Sequence, residues 1–263
     1  MNTIFNKQLF DPAFIKQQSE NFNTSKPYKH MVIENFLHED FANTLYEHFP
    51  TMDKLSKHYQ GLNEKKSEGS DFNTFHPAYS ELRAALNSIE ARKWLEEMTG
   101  VTDLYSTDDN LGAGIHQGTN GSYLDVHIDF NIHYEKNIHR RFNLLIFLNK
   151  NWKEEYGGKA EMWNDDVSKC IQAYLPSFNR CVIFETNEIS YHGYSKITIP
   201  ENESRKSFYC YYYTDIHDKS TKYHDTVFKA RPEEGAFKKI KTNVKETLKN
   251  NIKATFKKLG IKI

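Results

Sequence analysis

Two hydrophobic periodicities divide the chain. In the first hundred residues, apolar side chains recur every three or four positions, as at Phe41, Leu45 and Phe49, which is the spacing of one helix face. From residue 112 onward, short runs alternate apolar and polar side chains at every second position, which is typical of strands with two different faces. The pattern therefore predicts helices first and a β domain after them.

The helical part has two main predicted regions. One covers residues 38–49 and ends at Pro50, and the other runs from Pro77 to Gly100. A strand is predicted at residues 31–37, and the polar residues 51–76 are predicted to form a long loop. Residues 1–27 are weakly patterned, so we expect a loose or short-helical arm there.

The β part contains seven short runs with strand character. Gly, Asn, Asp and Pro separate them, and many short strands in series are typical of a sandwich or jelly-roll barrel. The predicted strands are residues 112–117, 122–130, 141–149, 159–163, 169–175, 180–185 and 206–214. We therefore expect an α+β fold in which helices from the N-terminal part pack on a jelly-roll, cupin-like core.

The last segment, residues 231–263, has the pattern of a basic amphipathic helix. Apolar positions step by three or four from Phe237 through Ile240 and Val244. Residues 237–263 contain nine Lys and one Glu, a net charge of 9 − 1 = +8. We expect the apolar stripe to pack on the core with the lysines in solvent. Contact with an anionic membrane, a nucleic acid or a carrier protein is the alternative.

Composition limits the class of protein. The chain has 263 residues, which can bury a sizeable core, and 35 basic and 35 acidic residues, so no global field predicts a nucleic-acid partner. Cys170, Cys181 and Cys210 show no metal-type spacing, and no apolar leader segment is evident, which predicts a cytoplasmic protein. No run approaches the ~20 apolar residues of a membrane span.

One predicted strand carries an unusual polar face. In LDVHIDFN, residues 124–131, His127 and Asp129 point the same way because residues i and i+2 of a strand share a face. If the opposite, apolar face packs under helices, both side chains face the interior, where a buried carboxylate needs a cation or a metal. A pair on a solvated face is the alternative, since such tripeptides are common.

A later histidine completes a candidate metal set. His192 lies in ISYHGYSK, and two His with one carboxylate form the facial triad of non-haem Fe(II) oxygenases, which leaves positions open for a chelating cosubstrate and oxygen. Arg205 follows thirteen residues later and offers a bidentate fork for the far carboxylate of a five-carbon diacid. Strand alternation predicts that Ser207, Tyr209 and Tyr211 share its face.

The order of these motifs resembles a known family. HID, RRFNLLIFLNKNWKEEYGGKAEMW, the later histidine and RKSFYCYYY are similar to the prolyl 4-hydroxylase-like branch of the Fe(II)/2-oxoglutarate-dependent oxygenases. The resemblance implies a single oxygenase domain at residues 28–230, with helical support at 28–110 and a double-stranded β-helix core at 111–215. It also implies Fe(II), 2-oxoglutarate and O2, with decarboxylation of 2-oxoglutarate to succinate and CO2 coupled to oxidation of a C–H bond.

The resemblance assigns the metal ligands. His127, Asp129 and His192 match the iron ligands of the family and would form its catalytic centre. Related halogenases usually have Gly or Ala at the position of Asp129, which vacates a site for chloride. The carboxylate present here therefore favours hydroxylation over halogenation.

The resemblance also assigns the cosubstrate site. Arg205 matches the residue that binds the C5 carboxylate of 2-oxoglutarate. Phe147 stands where oxygen-sensing prolyl hydroxylases have a Tyr that touches this carboxylate, so Ser207 or Tyr209 is expected to supply the missing hydroxyl. Gln117, ten residues before the first ligand, is a further candidate for this site.

Candidates for the substrate pocket come from strand alternation. If Phe147 faces inward, so do Asn143 and Arg141, and Arg141 would then hold an anionic substrate group, with a surface ion pair as the alternative. Asn131 and Tyr211 are further candidates. Because no separate peptide-binding domain is evident, we expect hydroxylation of an amino acid or another small or carrier-borne metabolite. A protein prolyl hydroxylase and a non-catalytic cupin-like binding protein are the alternatives.

Overall fold

The computed structural model describes residues 3–218, 220–242 and 244. Its α-helices are α1 (Pro12–Thr24), α2 (Glu39–Glu47), α3 (Pro77–Leu86) and α4 (Ile89–Thr99), and residues 236–242 are also helical. The helix predicted between Pro77 and Gly100 is therefore two helices. α3 ends before Ser88. The hydroxyl of Ser88 accepts a hydrogen bond from Ala91 N and so caps the start of α4. Gly100, at φ +73°, ends the second.

The strands form one curled antiparallel sheet. In chain order they are β1 (His30–Ile33), β2 (Lys57–Gln60), β3 (Glu64–Gly69), β4 (Ala113–Gly118), β5 (Tyr123–Ile128), β6 (His139–Phe147), β7 (Ala160–Trp163), β8 (Cys170–Tyr174), β9 (Arg180–Glu185), β10 (His192–Tyr194), β11 (Arg205–Thr214) and β12 (Val227–Phe228). Their order in the sheet is β1-β9-β6-β11-β4-β3-β5-β10-β7-β8, with β2 beside β3 and β12 beside β5. This winding is the double-stranded β-helix, and the predicted fold class is confirmed.

The two faces of the sheet have different partners. Phe142, Leu144 and Ile146 of β6 belong to the main apolar core, together with Phe208 of β11 and helix residues such as Leu95. The alternate residues of the same strands face the barrel interior. Burial on the helix side thus fixes which side chains of β6 and β11 point inward.

Two segments are more ordered than the sequence pattern predicts. Residues 12–24, within the expected loose or short-helical arm, form α1, whose Phe22 is buried in the core. Residues 57–69, within the expected long loop, form the β2–β3 hairpin, and β3 lies between β4 and β5. Both strands are rich in charged residues, so their apolar periodicity is weak.

Two irregularities interrupt strand alternation near the predicted site. On β6, Phe142 pairs with Tyr212 and Arg140 with Tyr213, so Arg141 is an extra residue. Between β10 and β5, three residues (His192 to Tyr194) lie opposite four (Leu124 to His127), because His192 pairs with His127 and Tyr194 with Leu124. Such bulges change which side chains share a face.

The segment after residue 230 packs on the barrel through polar side chains. Phe237, Ile240 and Val244 are exposed by 79%, 63% and 52%. The expectation that the apolar stripe docks on the core is therefore wrong for these positions, because Lys238 and Thr242 make the inward contacts. The rest of the predicted basic helix, residues 245–263, lies outside the described residues. No helix in the described part is both long and apolar enough to cross a bilayer.

Candidate metal and cosubstrate site

Three predicted ligand side chains converge inside the barrel. Nitrogen and oxygen atoms of His127, Asp129 and His192 lie within 4.8 Å of one another. The Nε2 atom of His127 lies 3.6 Å from Oδ1 of Asp129, and the Nε2 atom of His192 lies 3.3 Å from Oδ2. Two imidazoles and one carboxylate on one side of a point are the donor set of a facial triad.

The backbone orients both histidines for metal binding. The Nδ1 atom of His127 lies 2.9 Å from the carbonyl of Asp125, and that of His192 lies 2.9 Å from the carbonyl of Ser190. A carbonyl can only accept, so each Nδ1 carries the proton and each Nε2 offers a lone pair to the centre. Burial, followed by the charge of His192, lowers the pKa of His127, which favours this neutral form.

A charge network surrounds the carboxylate ligand. The guanidinium of Arg140 donates to Oδ2 of Asp129 at 3.2 Å, and the amide of Asn143 donates to the same oxygen at 2.6 Å. Burial alone would raise the pKa of Asp129, but the charge of Arg140, aided by both histidines, holds it well below its usual range. Asp129 is therefore ionised at neutral pH, as a metal ligand must be.

Arg205 is a buried cation that lacks a carboxylate partner. Only 7% of the residue is exposed, and no Asp or Glu oxygen of the described residues lies within 4 Å of its guanidinium. Its Nε donates to the carbonyl of Gly158 at 2.8 Å, and its guanidinium lies 4.2 Å from the Tyr194 ring centroid. Burial lowers the pKa of Arg205. The remaining donors suit an anion entering the barrel.

Three residues on neighbouring strands form a row across the inner face of the sheet, two residues along β11 from Arg205. Ser207 on β11 pairs with Phe147 on β6 and with His116 on β4, so the three side chains share the inner face. Tyr209 follows on the same face, stacks on His116 at 4.4 Å between centroids, and donates to Glu68 at 3.4 Å. The predicted shared face of Arg205, Ser207 and Tyr209 is therefore present.

Gln117 does not lie with these residues. It pairs with Lys206, so its side chain projects from the opposite face of the sheet, where its amide donates to Ser204 Oγ at 2.9 Å. His116 occupies the inward position instead. The spacing of ten residues does not fix the direction of Gln117, because Gln117 and His127 lie on different strands, and the register of β4 with β11 sets it instead.

The prediction for Arg141 is corrected for the same kind of reason. Because Arg141 is the extra residue of the β6 bulge, Arg140 points inward and Arg141 does not. Arg141 instead lies 3.9 Å from Glu185, a partly exposed pair that matches the alternative considered above. Only the bulge distinguishes the two arginines, and no feature of the sequence predicts it.

The other substrate candidates already have partners within the chain. The amide of Asn131 donates to the carbonyl of Lys222 at 2.8 Å and accepts from the backbone of His224 at 3.0 Å, so it holds two segments together. Asn143 binds Asp129, and Tyr211 lies under Arg140 with 3.5 Å between guanidinium and ring centroid. The side-chain amides of Asn131 and Asn143 are thus used within the chain, and a substrate role for these three residues stays a prediction.

Comparison with known proteins agrees with this geometry. Residues 113–213 match the family model described as 2OG-Fe(II) oxygenase superfamily. Prolyl 3-hydroxylase OGFOD1 from Mus musculus is 26% identical over 192 residues, which cover 71% of this chain and 33% of that protein. The chain thus spans about a third of the length of the curated relatives it matches.

Two solved structures share the fold. A prolyl-4-hydroxylase from Pseudomonas putida superposes with a TM-score of 0.54 at 14% identity, covering 75% of this chain and 99% of that one. A prolyl hydroxylase from Trichoplax adhaerens, in complex with a hypoxia inducible factor peptide fragment, gives a TM-score of 0.53 at 16% identity, covering 80% and 96%.

The barrel has the double-stranded β-helix fold, and its inward donor set is the one expected of an iron oxygenase. The family match over residues 113–213 and the fold are like those of a prolyl 4-hydroxylase-like 2OG-Fe(II) oxygenase, as the motifs predict. The family description agrees with the predicted oxygenase class and with the predicted Fe(II), 2-oxoglutarate and O2.

Proposed function

We propose that this protein is an Fe(II)- and 2-oxoglutarate-dependent dioxygenase that hydroxylates a C–H bond. His127, Asp129 and His192 would hold the iron, and Arg205 would bind the C5 carboxylate of 2-oxoglutarate. The observation that carries the proposal is the convergence of the three donor atoms in a barrel that also buries Arg205, a cation without a carboxylate partner among the described residues.

The chain's own residues account for cosubstrate orientation. Arg205 lies 4.2 Å from the ring centroid of Tyr194, which is two residues after His192 on β10. A diacid anchored at Arg205 would therefore direct its 2-oxo end toward the histidines. Phe147 has no hydroxyl, and Ser207 and His116 in the same row supply polar atoms in its place.

Iron, when bound, would supply the redox chemistry that couples decarboxylation of 2-oxoglutarate to oxidation of the substrate. The protein contributes electrostatics and exclusion of water. His127 and Arg140 are buried, and Phe184 packs against His192 at 4.6 Å between centroids. A dry, preorganised centre limits oxidation in the absence of substrate.

For the substrate, we propose a prolyl residue of a protein. The relative from Mus musculus is a prolyl 3-hydroxylase, and the structural neighbour from Trichoplax adhaerens is a prolyl hydroxylase in complex with a peptide fragment. This departs from the sequence-based expectation of a small or carrier-borne metabolite, which rested on the lack of a visible peptide-binding domain.

One observation favours the metabolite as a second candidate. The β2–β3 hairpin places charged side chains on the face shared with His116: Lys57 lies 3.2 Å from Glu68, and Lys66 lies 3.6 Å from Glu64. A wall of paired charges suits a polar or zwitterionic substrate better than an apolar ring. Loss of succinate formation with free amino acids in Glu64→Gln and Lys57→Met variants would fit this candidate.

Anaerobic reconstitution tests the proposed iron and cosubstrate sites. Fe(II) with 2-oxoglutarate should give a weak visible charge-transfer band in the wild-type protein, and His127→Ala should lose it. His38→Ala is the matched control, because His38 makes only an exposed contact with Asp40. A folded wild-type protein without the band would contradict the proposal.

Substrate classes are then separated by product analysis. Proline-containing peptides and free amino acids should be incubated with the iron-loaded protein, 2-oxoglutarate and O2, and succinate measured beside a mass gain of one oxygen. Hydroxylated peptide with no amino-acid product supports the prolyl assignment. The reverse result supports the metabolite.

A further inference from the structure

Arg140 is the most deeply buried charged side chain near the candidate iron site. It is 1% exposed, yet it lies only one residue from the solvent-facing Arg141. Its guanidinium is held between two rings, 3.5 Å from the centroid of Tyr211 and 4.6 Å from that of Phe130. This sandwich fixes the plane of the guanidinium and the direction of its N–H groups.

The guanidinium closes a three-residue network with Asp129. Both Nε, at 2.8 Å, and Nη2 of Arg140 donate to Oδ1 of Asn143, and Nη2 also donates to Oδ2 of Asp129. The amide nitrogen of Asn143 then donates to the same Oδ2. Each polar group of Asn143 is therefore used, and its amide orientation is set by the network.

The network treats the two oxygens of Asp129 differently. Oδ2 receives two N–H donors, which occupy both of its lone-pair directions. Oδ1 receives neither of them and lies 3.6 Å from Nε2 of His127, whereas Oδ2 also lies 3.3 Å from Nε2 of His192. A carboxylate in this arrangement offers a metal one oxygen, whereas a free carboxylate can offer both.

Stability alone is a poor explanation for this arrangement. A buried ion pair commonly contributes little net stability, because desolvation of the two charges offsets their attraction. Groups that orient a metal ligand have a different effect, since they fix the geometry and basicity of the ligand itself.

We propose that Arg140 and Asn143 are positioning residues that hold Oδ2 of Asp129 and leave Oδ1 as the single metal-binding oxygen. The inference rests on the iron site proposed above. A one-oxygen carboxylate keeps the other positions of a facial triad open for cosubstrate and oxygen. The network would act on metal and 2-oxoglutarate affinity without contacting either.

The adjacent arginines provide a matched test. Arg140→Lys keeps the charge but loses the fork, Asn143→Ala removes both amide contacts, and Arg141→Lys is the control. Mn(II) affinity, followed by the electron paramagnetic resonance signal of free Mn(II), should fall about 10–100-fold in the first two variants. Arg141→Lys should bind like the wild type.

Two further readouts separate positioning from folding. The anaerobic Fe(II)–2-oxoglutarate band should shift or weaken in Arg140→Lys and Asn143→Ala at temperatures where circular dichroism shows folded protein. The double variant should lose little more affinity than either single variant, because the network acts as a unit. If Arg140→Lys does not fold, Asn143→Ala decides the question.

Three results would overturn the inference. Wild-type Mn(II) affinity and an unchanged band in folded Asn143→Ala would show that metal binding does not depend on the hydrogen bonds to Oδ2 of Asp129. Near wild-type affinity in folded Arg140→Lys would show that charge suffices without the fork. Equal losses in Arg140→Lys and Arg141→Lys would show that the effect is not specific to the inward guanidinium of Arg140. Absence of the band in the wild type would instead refute the proposed iron site itself.

Discussion

The clearest functional signal at the scale of single residues is Arg205. A buried guanidinium without a carboxylate partner among the described residues costs free energy in the ligand-free protein, and its lowered pKa has the same cause. Arg205 therefore lowers the stability of the ligand-free fold but allows the site to bind an anion, a combination that is common at functional sites.

Arg205→Met should make this cost visible. We expect the ligand-free variant to be more stable than the wild type by about 1–2 kcal/mol, because an apolar side chain replaces an unpaired charge. With Mn(II) bound and 2-oxoglutarate at about 100 times its Kd, the wild type should gain about 2.7 kcal/mol and the variant nothing. Thermal melts with and without the diacid measure both effects.

Arg180 supplies the control for this prediction. Its guanidinium is paired with Glu34 at 2.7 Å, so Arg180→Met removes a satisfied charge and should not raise stability. A less stable ligand-free Arg205→Met would mean that Gly158 and Tyr194 already satisfy the guanidinium.

Sequence patterns predicted which side chains face the barrel interior along strands whose alternation is unbroken. His127, Asp129 and Arg205 were chosen from period-2 spacing and from the chemistry of their side chains, and all three lie on the inner face. Arg140 was missed because its direction depends on the extra residue in β6, and His116 because its direction depends on the register of β4 with β11. A bulge is a property of strand pairing, which local periodicity does not report.

At the scale of elements, β10 depends on close contact with the bulge of β5. A Cβ at Gly193 would lie 2.7 Å from the carbonyl oxygen of Leu124 and 2.9 Å from that of Asp125. Both are backbone atoms, so a side chain there would push β10 away from β5. His192 and His127 face each other across this same contact.

Gly193→Ala should therefore weaken the metal site without altering any ligand. We expect a loss of about 1–3 kcal/mol of folding stability from the steric clash, and at least about a tenfold loss of Mn(II) affinity because His192 moves. Gly235→Ala is the control, since a Cβ there meets no atom within 4 Å. Wild-type affinity in Gly193→Ala would show that the two strands separate without moving the histidines.

Element boundaries followed the strength of the apolar pattern. The apolar strands β6, β9 and β11 lie close to their predicted ranges, because burial against the helices imposes alternation. The β2–β3 hairpin was predicted as loop, since its inward face is charged. The three-residue strand β10 is too short for any period to be visible.

At the scale of the whole molecule, the segment after residue 230 forms ion pairs with β5 and β7 and a hydrogen bond with Asn63, which precedes β3. Arg231 pairs with Glu161 of β7, Lys238 lies 2.8 Å from Asp125 of β5, and the hydroxyl of Thr242 donates to Asn63 Oδ1 at 3.1 Å. The apolar pattern predicted that the face with Phe237 and Ile240 packs on the core. That prediction failed because hydrophobic spacing carries no information about buried ion pairs.

Lys238→Met tests the contribution of this contact. Because Asp125 is buried, loss of its cation should destabilise the fold by about 1–3 kcal/mol at pH 8. Burial, opposed by Lys238, raises the pKa of Asp125 to about 6, so the penalty belongs to the ionised form and should shrink as the pH falls to 5. Lys239→Met, which removes only an exposed contact to Pro232, is the control for the thermal melts.

The bulge in β6 has a consequence for tolerance to strand slippage. Residues 140 and 141 are both arginine, so a shift of the extra residue by one position would exchange their directions and still present a guanidinium to the barrel. The duplicated arginine therefore makes the inward charge insensitive to where the strand accommodates its surplus residue. Replacing Arg141 alone would keep Arg140 inward in this structure. A shift of the extra residue by one position would then no longer place an arginine inside the barrel.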